Sequence, residues 1–358
     1  MKYLMTMEPL EPYTFGTDHS FRYAGEKPTG RESYFVMSAT IPEQTTILGM
    51  LRYLLLKDSG LLKGDFSYTG DDKERMKELI GEKSFSFVAS DQNFGIIDSI
   101  SPLFIVNTNN EWLVRCPFCI KADGTFMKMS AEKYCTAFGE IHFPEANEYN
   151  AKEGYVYEDY YNLDTGRLYS SDNKKPLFTR KMYTGNNKND EYGRLKAKID
   201  HDEGFFRIEK VSLRKGYRFA CIIELENRLN GESYICRMGR GKAAFRVDLD
   251  ELDENARNID EAVSGAGFDS SGRWYYCLSD VFLNEKVQYS DFAIVNTKET
   301  RNLETRLSEK GIRRLRKSEM LFTMIAQGSV FYLENPIPDN RELKKIGYNH
   351  IIEIGGKQ

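Results

Sequence analysis

The sequence lacks an excess of basic residues. Its 358 residues include 50 Lys and Arg against 54 Asp and Glu, which gives a formal net charge of -4 at pH 7. A free-standing nucleic-acid-binding protein usually carries a basic excess. Any nucleic-acid site in this chain is therefore expected to be a local patch, or one wall of a groove that partner proteins complete.

Long apolar runs are also lacking. Neither the opening MKYLMTMEPLEP nor the rest of the chain contains a stretch that fits a signal peptide or a membrane span. The 6 cysteines are unevenly spaced, and we expect them to be reduced in an intracellular protein. The expected location is the cytoplasm, with no membrane partner.

Motifs of common enzymes are absent as well. The sequence contains no GxxxxGK[ST], HExxH or GxSxG motif and no dinucleotide-binding fingerprint. No pair of carboxylates stands out, and there is no internal repeat or low-complexity run. These absences favour a binding protein over an enzyme.

What is present predicts a folded, strand-rich chain. Hydrophobic residues make up 41% and charged residues 29%, which is typical of a globular protein with a packed core. Aromatic residues reach 13%, and aromatic side chains favour strands. Base stacking is the alternative role for individual rings.

Hydrophobic periodicity predicts the elements. One helix is expected at 46–57 with Thr45 or Thr46 as its cap, and a second, polar helix at 73–80. A Gly- and Pro-containing loop is expected at 11–33, and a weakly periodic insertion at 116–210. The predicted strands cover 2–8, 84–90, 217–225, 233–238, 243–250, 273–280 and 291–296, with two strands or one bulged strand around Gly328.

The helix at 46–57 carries Gly49 and Arg52 beside its apolar stripe. Because they are three residues apart, they share one face of the helix. A glycine inside a helix costs about 1 kcal/mol relative to alanine, which suggests that another group approaches closely there. A phosphate bound by Arg52 is one such group, and close packing of the helix on a sheet is the alternative.

Gly239-Arg240-Gly241-Lys242 lies between two predicted strands. Such a turn exposes backbone N–H groups and adds two cations, so it is able to cradle a phosphate. An ordinary basic hairpin turn has the same sequence pattern. The run Arg313, Arg314, Arg316 and Lys317 similarly fits either a solvated face or a surface for RNA or a partner.

Two further groups of residues are candidate chemical sites. Cys116-x-x-Cys119, with Cys135 and His142 downstream, fits a zinc site or a redox pair, but the loose downstream spacing and the missing βαβ pattern favour structural thiols and no metal. His19, with Arg22 or Arg31 beside it, is a candidate general base for RNA cleavage. Local hydrogen bonding or RNA contact is the alternative for His19.

Several segments, in order along nearly the whole chain, resemble the Cmr-type (type III-B) CRISPR effector RAMP subunit of the Cas-five group. They are MEPLEPYTFG, IPEQTTILGMLRYLLL, EGFFRIEKVSLRKGYRFACIIEL, CRMGRGKAAFRVD, AQGSVFYLE and IGYNHIIEIGG. The chain departs from the family pattern where Arg214-Lys215-Gly216 replaces an acidic pair before glycine, and where Arg240 replaces a common second glycine. CPFCIKADG falls where the family has a proline-rich stretch, which also argues for a structural role of its cysteines.

The resemblance implies an α+β fold of two ferredoxin-like (RRM-like) RAMP halves with β insertions, including a β-thumb. The halves would cover 1–210, with the insertion at about 116–210, and 211–358, with Gly-rich loops. It implies a non-catalytic subunit of an antiviral, RNA-guided Cmr complex that grips the 5′ tag of the CRISPR RNA. Its partners would be that RNA, the large polymerase-like subunit and the backbone RAMP subunits, and it would need no cofactor.

The residues expected to contact RNA are His19, Arg22, Arg31, Gly49, Arg52, Arg240 and Lys242. Charge reversal of Arg52 to Glu is expected to impair guide retention while leaving the fold intact. Two alternatives remain open at this point. One is a metal-independent RAMP endoribonuclease that processes CRISPR RNA with His19 as base, and the other is a structural subunit without RNA contact.

Overall fold

A computed structural model describes most of the chain. The described residues are 1–23, 33–63, 67–89, 91–121, 124–126, 128–137, 139–147, 159–186, 205–266, 274–283, 292–307, 313–332 and 341–354. The helices in this part of the chain are too short or too polar to span a lipid bilayer.

The described residues form a mixed α+β fold in which strands predominate. The strands are β1 (Lys2–Pro9), β2 (Phe15–Tyr23), β3 (Ser33–Ala39), β4 (Ile97–Ile100), β5 (Phe104–Asn107), β6 (Trp112–Arg115), β7 (Lys128–Thr136), β8 (Gly139–Asn147), β9 (Tyr160–Asn162), β10 (Arg167–Leu168), β11 (Phe178–Asn186), β12 (Phe205–Leu213), β13 (Tyr217–Leu225), β14 (Ser233–Met238), β15 (Ala243–Leu252), β16 (Trp274–Cys277), β17 (Phe292–Ile294), β18 (Thr297–Thr300), β19 (Leu303–Leu307), β20 (Arg313–Lys317), β21 (Phe322–Ile325), β22 (Val330–Tyr332) and β23 (Ile351–Ile354). The helices are α1 (Gln44–Asp58), α2 (Gly70–Ile80), α3 (Tyr169–Asp172), α4 (Ile259–Ser264) and α5 (Arg341–Lys344).

The largest sheet contains a ferredoxin-like strand set. Its order is β10-β9-β6-β5-β13-β1-β15-β14, with β4 paired to β13. Within it, each pair of neighbours in β15-β1-β13-β5 is antiparallel, and this is the 4-1-3-2 order of a ferredoxin-like βαββαβ unit. Along the chain, α1 follows β1, as the first helix of such a unit does. Between β13 and β15, where the second helix would come in sequence, the chain instead forms the edge strand β14.

A second ferredoxin-like strand set lies near the C-terminal end of the described chain. The sheet β23-β16-β22-β17 is antiparallel throughout and has the same 4-1-3-2 order when its strands are numbered along the chain. The short helix α5 lies between β22 and β23, where the second helix of the unit belongs. The prediction of an α+β fold with two ferredoxin-like halves is therefore confirmed.

The first strand set runs across residue 210. β1 pairs with β13 on one side and β15 on the other, with Met5 opposite both Cys221 and Leu249. Strands from either side of the predicted division thus share one sheet, and the first set ends at Leu252. The division into domains at 210 stays a prediction.

Alternate side chains of β1 enter two hydrophobic cores, one on each face of the largest sheet. Tyr3, Met5 and Met7 are buried on the face covered by α1, whose Leu51 and Leu54 are fully buried there. Each such leucine contributes about 1.5–3 kcal/mol. Leu4 packs on the opposite face. This spacing is the period of two that strands require.

The second core joins the two ferredoxin-like sheets. From the largest sheet it receives Phe104, Val106, Val114, Ala220 and Ile222, and from the second sheet Trp274, Tyr276, Ile294, Val330, Ile352 and Ile354. Cys116, Phe118, Cys119 and Ile120 also belong to it. The backbone N–H of Phe118 donates to the carbonyl of Gly328 at 2.9 Å, so this segment is wedged between the halves.

The remaining strands form smaller sheets. β11-β12-β3-β2 form a four-stranded sheet, while β18-β21, β19-β20 and β7-β8 form two-stranded sheets. The predicted insertion at 116–210 therefore contains strands, of which β9 and β10 extend the largest sheet. The basic run at 313–317 forms β20, with side chains outside the described part.

Three local predictions were wrong. Residues 11–33 are not a loop throughout, because β2 pairs with β3; a register shift between Gly16 and Ser20 breaks the alternation that would have revealed the strand. Residues 84–90 form no strand in the described part: Phe85 and Phe87 are buried alternately, but the N–H of Ser86 bonds to the Gln92 side chain instead of a neighbouring strand.

The third error concerns the start of α1. The N-cap is Glu43, whose side chain makes no capping hydrogen bond, and not Thr45 or Thr46. The carboxylate of Glu43 lies 2.7 Å from Lys298 Nζ and accepts from the Tyr348 hydroxyl at 3.3 Å. Contacts with the second half therefore replace a local cap.

Candidate nucleic-acid interface

The turn at Gly239–Lys242 docks on the start of β2. Gly239, Gly241 and Lys242 all have positive φ, at 72°, 88° and 55°, which L side chains rarely adopt. A Cβ on Gly239 would lie 2.5 Å from the carbonyl oxygen of Thr14. The backbone N–H of Arg240 donates to that oxygen at 2.8 Å. Glycine is thus required at 239 for this contact.

The docking shows that one part of the predicted phosphate cradle, its free backbone N–H groups, is wrong for Arg240 and Lys242. The N–H groups of Arg240 and Lys242 bond to the carbonyls of Thr14 and Gly239, at 2.8 and 3.2 Å. They are therefore engaged within the protein. The exposed side chains of Arg240 and Lys242 are what this turn offers to an anion.

The residues predicted on the N-terminal side fall on β2 and beyond it. His19 and Arg22 lie in β2, where Arg22 is opposite Tyr34 of β3, and their side chains lie outside the described part. Arg31 lies outside the described residues altogether. The turn that carries Arg240 and Lys242 therefore contacts Thr14, the residue directly before the strand that carries His19 and Arg22.

Gly49 and Arg52 lie on α1, away from its buried stripe. Gly49 is exposed, and a Cβ there would meet nothing within 4 Å, so no described part of the chain makes the close approach that was expected. Arg52 is half-buried: its Nη2 donates to the carbonyl of Lys83 at 3.3 Å, and its guanidinium lies 5.8 Å from the centroid of Phe94.

The environment of Arg52 limits its freedom. Burial lowers the pKa of Arg52, but a guanidinium remains charged at neutral pH. Its Nε is buried without a partner among the described residues. A carboxylate at this position would face Phe94, so Arg52→Gln is a cleaner removal of the charge than Arg52→Glu.

The hairpin that ends in the turn also packs against α1. Asp58, at the end of α1, accepts from the Tyr234 hydroxyl at 2.6 Å and from the Asn230 side chain at 3.0 Å. β14 thus runs from the end of α1 to the turn at 239–242. No contact among the described residues joins Gly49 or Arg52 directly to the turn.

A network of charged and polar groups next to Thr14 was not predicted from the sequence. Glu209 is a buried residue, and its carboxylate accepts from Arg180 at 2.8 Å and from the Ser38 N–H at 3.0 Å. Thr14 Oγ1 donates to the carbonyl of Glu209 at 2.8 Å. The network ties β11, β12 and β3 to the residue on which the turn docks. Alternation in FFRIEKVSL was the available signal for β12, but nothing in sequence paired Arg180 with Glu209.

A half-buried cation fixes α1 on the second half. Lys298 Nζ lies 2.6 Å from Asp280 and 2.7 Å from Glu43. Burial opposes the charge on Lys298, but the two carboxylates outweigh it and raise its pKa. Beside it, the Gln44 side chain donates to the carbonyls of Ser101 and Gly347, both at 3.1 Å. The helix that carries Gly49 and Arg52 is therefore held at its first residue.

The cysteine pair sits in the core between the sheets. Cys116 and Cys119 are buried free thiols, and burial raises the pKa of Cys119 to about 12. A thiol of this kind stays protonated and unreactive at neutral pH. Among the described residues no group of three or more His, Cys, Asp or Glu side chains is placed to hold a metal ion; the side chains of Cys135 and His142 lie outside that part.

Comparison with known proteins gives distant structural likenesses. Neither a family model nor a curated protein matches the sequence. The chain is similar to a chain of type III-B Cmr-beta bound to cognate target RNA and AMPPnP, with a TM-score of 0.48 and 15% identity over 97% of this chain and 95% of that one. A second type III-B Cmr-beta structure bound to cognate target RNA gives the same TM-score and identity, over 97% of this chain and 96% of that chain.

A third likeness is to a chain of the Csm3-Csm4 subcomplex of a type III-A CRISPR-Cas interference complex. There the TM-score is 0.38 and the identity 11%, over 99% of this chain and 100% of that chain.

Proposed function

We propose that this chain is a non-catalytic RNA-binding subunit of a type III-B CRISPR effector that grips the 5′ tag of the guide RNA. In that role it adjoins the large polymerase-like subunit and the backbone RAMP subunits. The proposal is supported by the ordered resemblance of its sequence segments and by its two ferredoxin-like strand sets.

One observation carries the choice of site: the turn at Gly239–Lys242 docks on Thr14 at the start of β2. This contact joins two segments that are far apart in sequence, each of which was expected to contact RNA. Cations on such a surface contact phosphates and position a strand without reading its sequence. Because the chain as a whole is acidic, the binding surface is local and completed by partners.

The first test removes the turn's cations in the assembled particle. Arg240→Glu/Lys242→Glu is expected to lower the salt concentration at which guide RNA is released, since each lost phosphate contact weakens binding and its salt dependence. The measurement is the amount of guide RNA that co-purifies with the particle across a salt series. Equal retention by the variant and the wild type would count against this site.

The control for that test is Lys174→Glu/Lys175→Glu. Both lysines are exposed in the loop before β11, so this variant makes the same change in net charge at another place. It is expected to retain guide RNA as the wild type does. Arg52→Gln is a further variant in the same test. Release of guide RNA at a lower salt concentration from this variant would assign the α1 face to the same RNA surface.

The non-catalytic part of the proposal has its own test. The pure chain is incubated with repeat RNA in the absence of metal ions, beside His19→Ala. We expect no site-specific cleavage by either protein. Cleavage that depends on His19 would replace the proposal with a guide-processing endoribonuclease.

A further inference from the structure

The hairpin of β11 and β12 has two different faces. Val211 and Leu213 of β12 are buried in the α1-side core, and Phe178 of β11 packs against that core. Residues alternate across a strand, so Lys181 and Tyr183 point away from the core. Lys210, directly opposite Lys181 in the register, shares their face.

This outer face carries an uncompensated pair of like charges. Lys181 and Lys210 are cross-strand partners, and like charges placed directly opposite each other destabilise a sheet. Neither lysine has an acidic partner among the described residues. On the core-side face of the same hairpin, by contrast, Arg180 is matched by Glu209 at 2.8 Å.

An exposed aromatic ring lies beside the two lysines. Tyr183 is 40% exposed, and Lys210 Nζ lies 5.1 Å from its ring centroid. A ring on a strand surface with cations beside it is the arrangement on which bases of single-stranded nucleic acids stack. The Lys210 ammonium beside this ring also belongs to the cross-strand partner of Lys181. The two positive charges together attract an anion such as a phosphate.

We infer that the Lys181–Tyr183–Lys210 face binds a single-stranded stretch of RNA, with Tyr183 stacked on a base and the two lysines on the neighbouring phosphates. The inference rests on the proposed function only in that the chain works inside an RNA-containing particle. An acidic protein segment would neutralise the lysines but would not use the exposed ring as a base does. The RNA has two possible sources, the guide strand and the target strand.

The test places a photo-crosslinking amino acid at position 183 of the full chain in the assembled particle. After irradiation, sequencing of the crosslinked RNA identifies it as guide or target. The control is the same crosslinker at Met182, which is 48% exposed on the opposite face of β11. We expect RNA crosslinks from position 183 and a much lower yield from position 182.

Crosslinks from position 183 to another protein subunit, or no crosslink in a particle that retains its guide, would overturn the inference. These outcomes leave the proposed function standing, because that is tested separately by the turn variants. The converse result is guide RNA retention that the turn variants leave unchanged while position 183 crosslinks to RNA. That result would refute the proposed binding of the guide by the turn and would support RNA binding by the Lys181–Tyr183–Lys210 face.

A paired variant supplies a second readout. Lys181→Gln/Lys210→Gln is expected to reduce the slope of RNA retention against salt by roughly 1.4, for two phosphate contacts on a single strand. The single variant Lys181→Gln is expected to raise, or leave unchanged, the thermal midpoint of the free chain, because it removes the repulsion and keeps the Lys210 ammonium beside the Tyr183 ring. An unchanged salt slope of the double variant would refute the phosphate contacts, and a lowered midpoint of the single variant would refute the uncompensated pair. Lys174→Gln/Lys175→Gln is the matched control for the salt slope, and Lys174→Gln for the midpoint.

Discussion

Because Gly239 has no side chain, the 239–242 turn approaches the backbone at Thr14, directly before β2. Gly239 and Gly241 both have positive φ, yet only Gly239 faces another backbone segment, where an added Cβ would lie 2.5 Å from the Thr14 oxygen. At Gly241 such an atom would meet nothing within 4 Å. The two glycines therefore separate the cost of backbone strain from the cost of a clash.

We expect Gly239→Ala to lower the urea midpoint of the protein more than Gly241→Ala does. Both variants place alanine in a left-handed conformation, which costs on the order of 1–2 kcal/mol. Gly239→Ala must in addition displace Thr14 and break its bond with the Arg240 N–H, for a further cost of about 1 kcal/mol or more. Equal midpoints for the two variants would mean that the turn does not depend on this docking.

At the residue level, sequence reasoning located the glycines and cations but not their partners. The turn at Gly239–Lys242 was correctly placed between two strands, because glycine pairs between alternating segments are a local signal. That its N–H groups are used by Thr14 and by the turn itself depends on a contact between distant segments. For the same reason no pattern indicated that Arg52 packs on Phe94.

At the scale of elements, α2 begins with a complete capping box. Thr69 accepts from the Asp72 N–H at 3.1 Å, and Asp72 accepts from the Thr69 N–H at 2.9 Å. The hydrogen bond from Lys63, followed by those from Thr69, lowers the pKa of Asp72 to about 2. A carboxylate with a lowered pKa stabilises the fold above its unfolded-state pKa of about 3.9.

That contribution is expected to be lost as the pH falls from about 4 towards about 2. Lys63→Met removes the largest cause, so the pKa of Asp72 is expected to rise towards its ordinary value. The measurement is the carboxyl carbon chemical shift of Asp72 against pH. Lys73→Met, on the same helix, is the control and should leave the titration of Asp72 where it is. A titration unaffected by Lys63→Met would show that the cap alone sets the pKa.

Elements with a strong period were predictable, and elements held by distant partners were not. The α1 stripe was confirmed because the helix buries one face, and β1 and β13 were confirmed because their alternate residues enter the two cores on opposite faces of the sheet. β2 was missed because the register shift after Gly16 hides its alternation. The segment with Phe85 and Phe87 was misassigned because two buried rings mimic a strand where the backbone bonds to a side chain.

At the scale of the whole molecule, the core between the sheets makes the two halves depend on each other. Phe104, Val106 and Ile222 of one sheet pack in a single cluster with Trp274 and Tyr276 of the other. Separation of the halves would expose all of these side chains to water, at about 25 cal/mol per Å² of apolar surface. We therefore expect the chain to unfold as one cooperative unit.

Cysteine labelling tests this cooperativity. Cys221 lies in the first sheet and Cys277 in the second, and both are buried with raised thiol pKa values caused by burial. In mild urea we expect the two thiols to be modified at the same rate, since one opening event exposes both. The measurement is pulsed alkylation followed by peptide mass spectrometry, with the fully denatured chain as the reference. Faster labelling of Cys277 would show that the second half opens by itself.

The position of β1 at the centre of the largest sheet also governs how the protein emerges from the ribosome. Its partner strands end at Leu225 and Leu252, so at about 5–20 residues per second they arrive on the order of ten to fifty seconds after β1. Throughout that interval the nascent chain presents a central strand with both hydrogen-bonding edges unsatisfied. Such an edge is prone to aggregation, and this topology therefore makes the growing polypeptide a natural client for chaperones during translation.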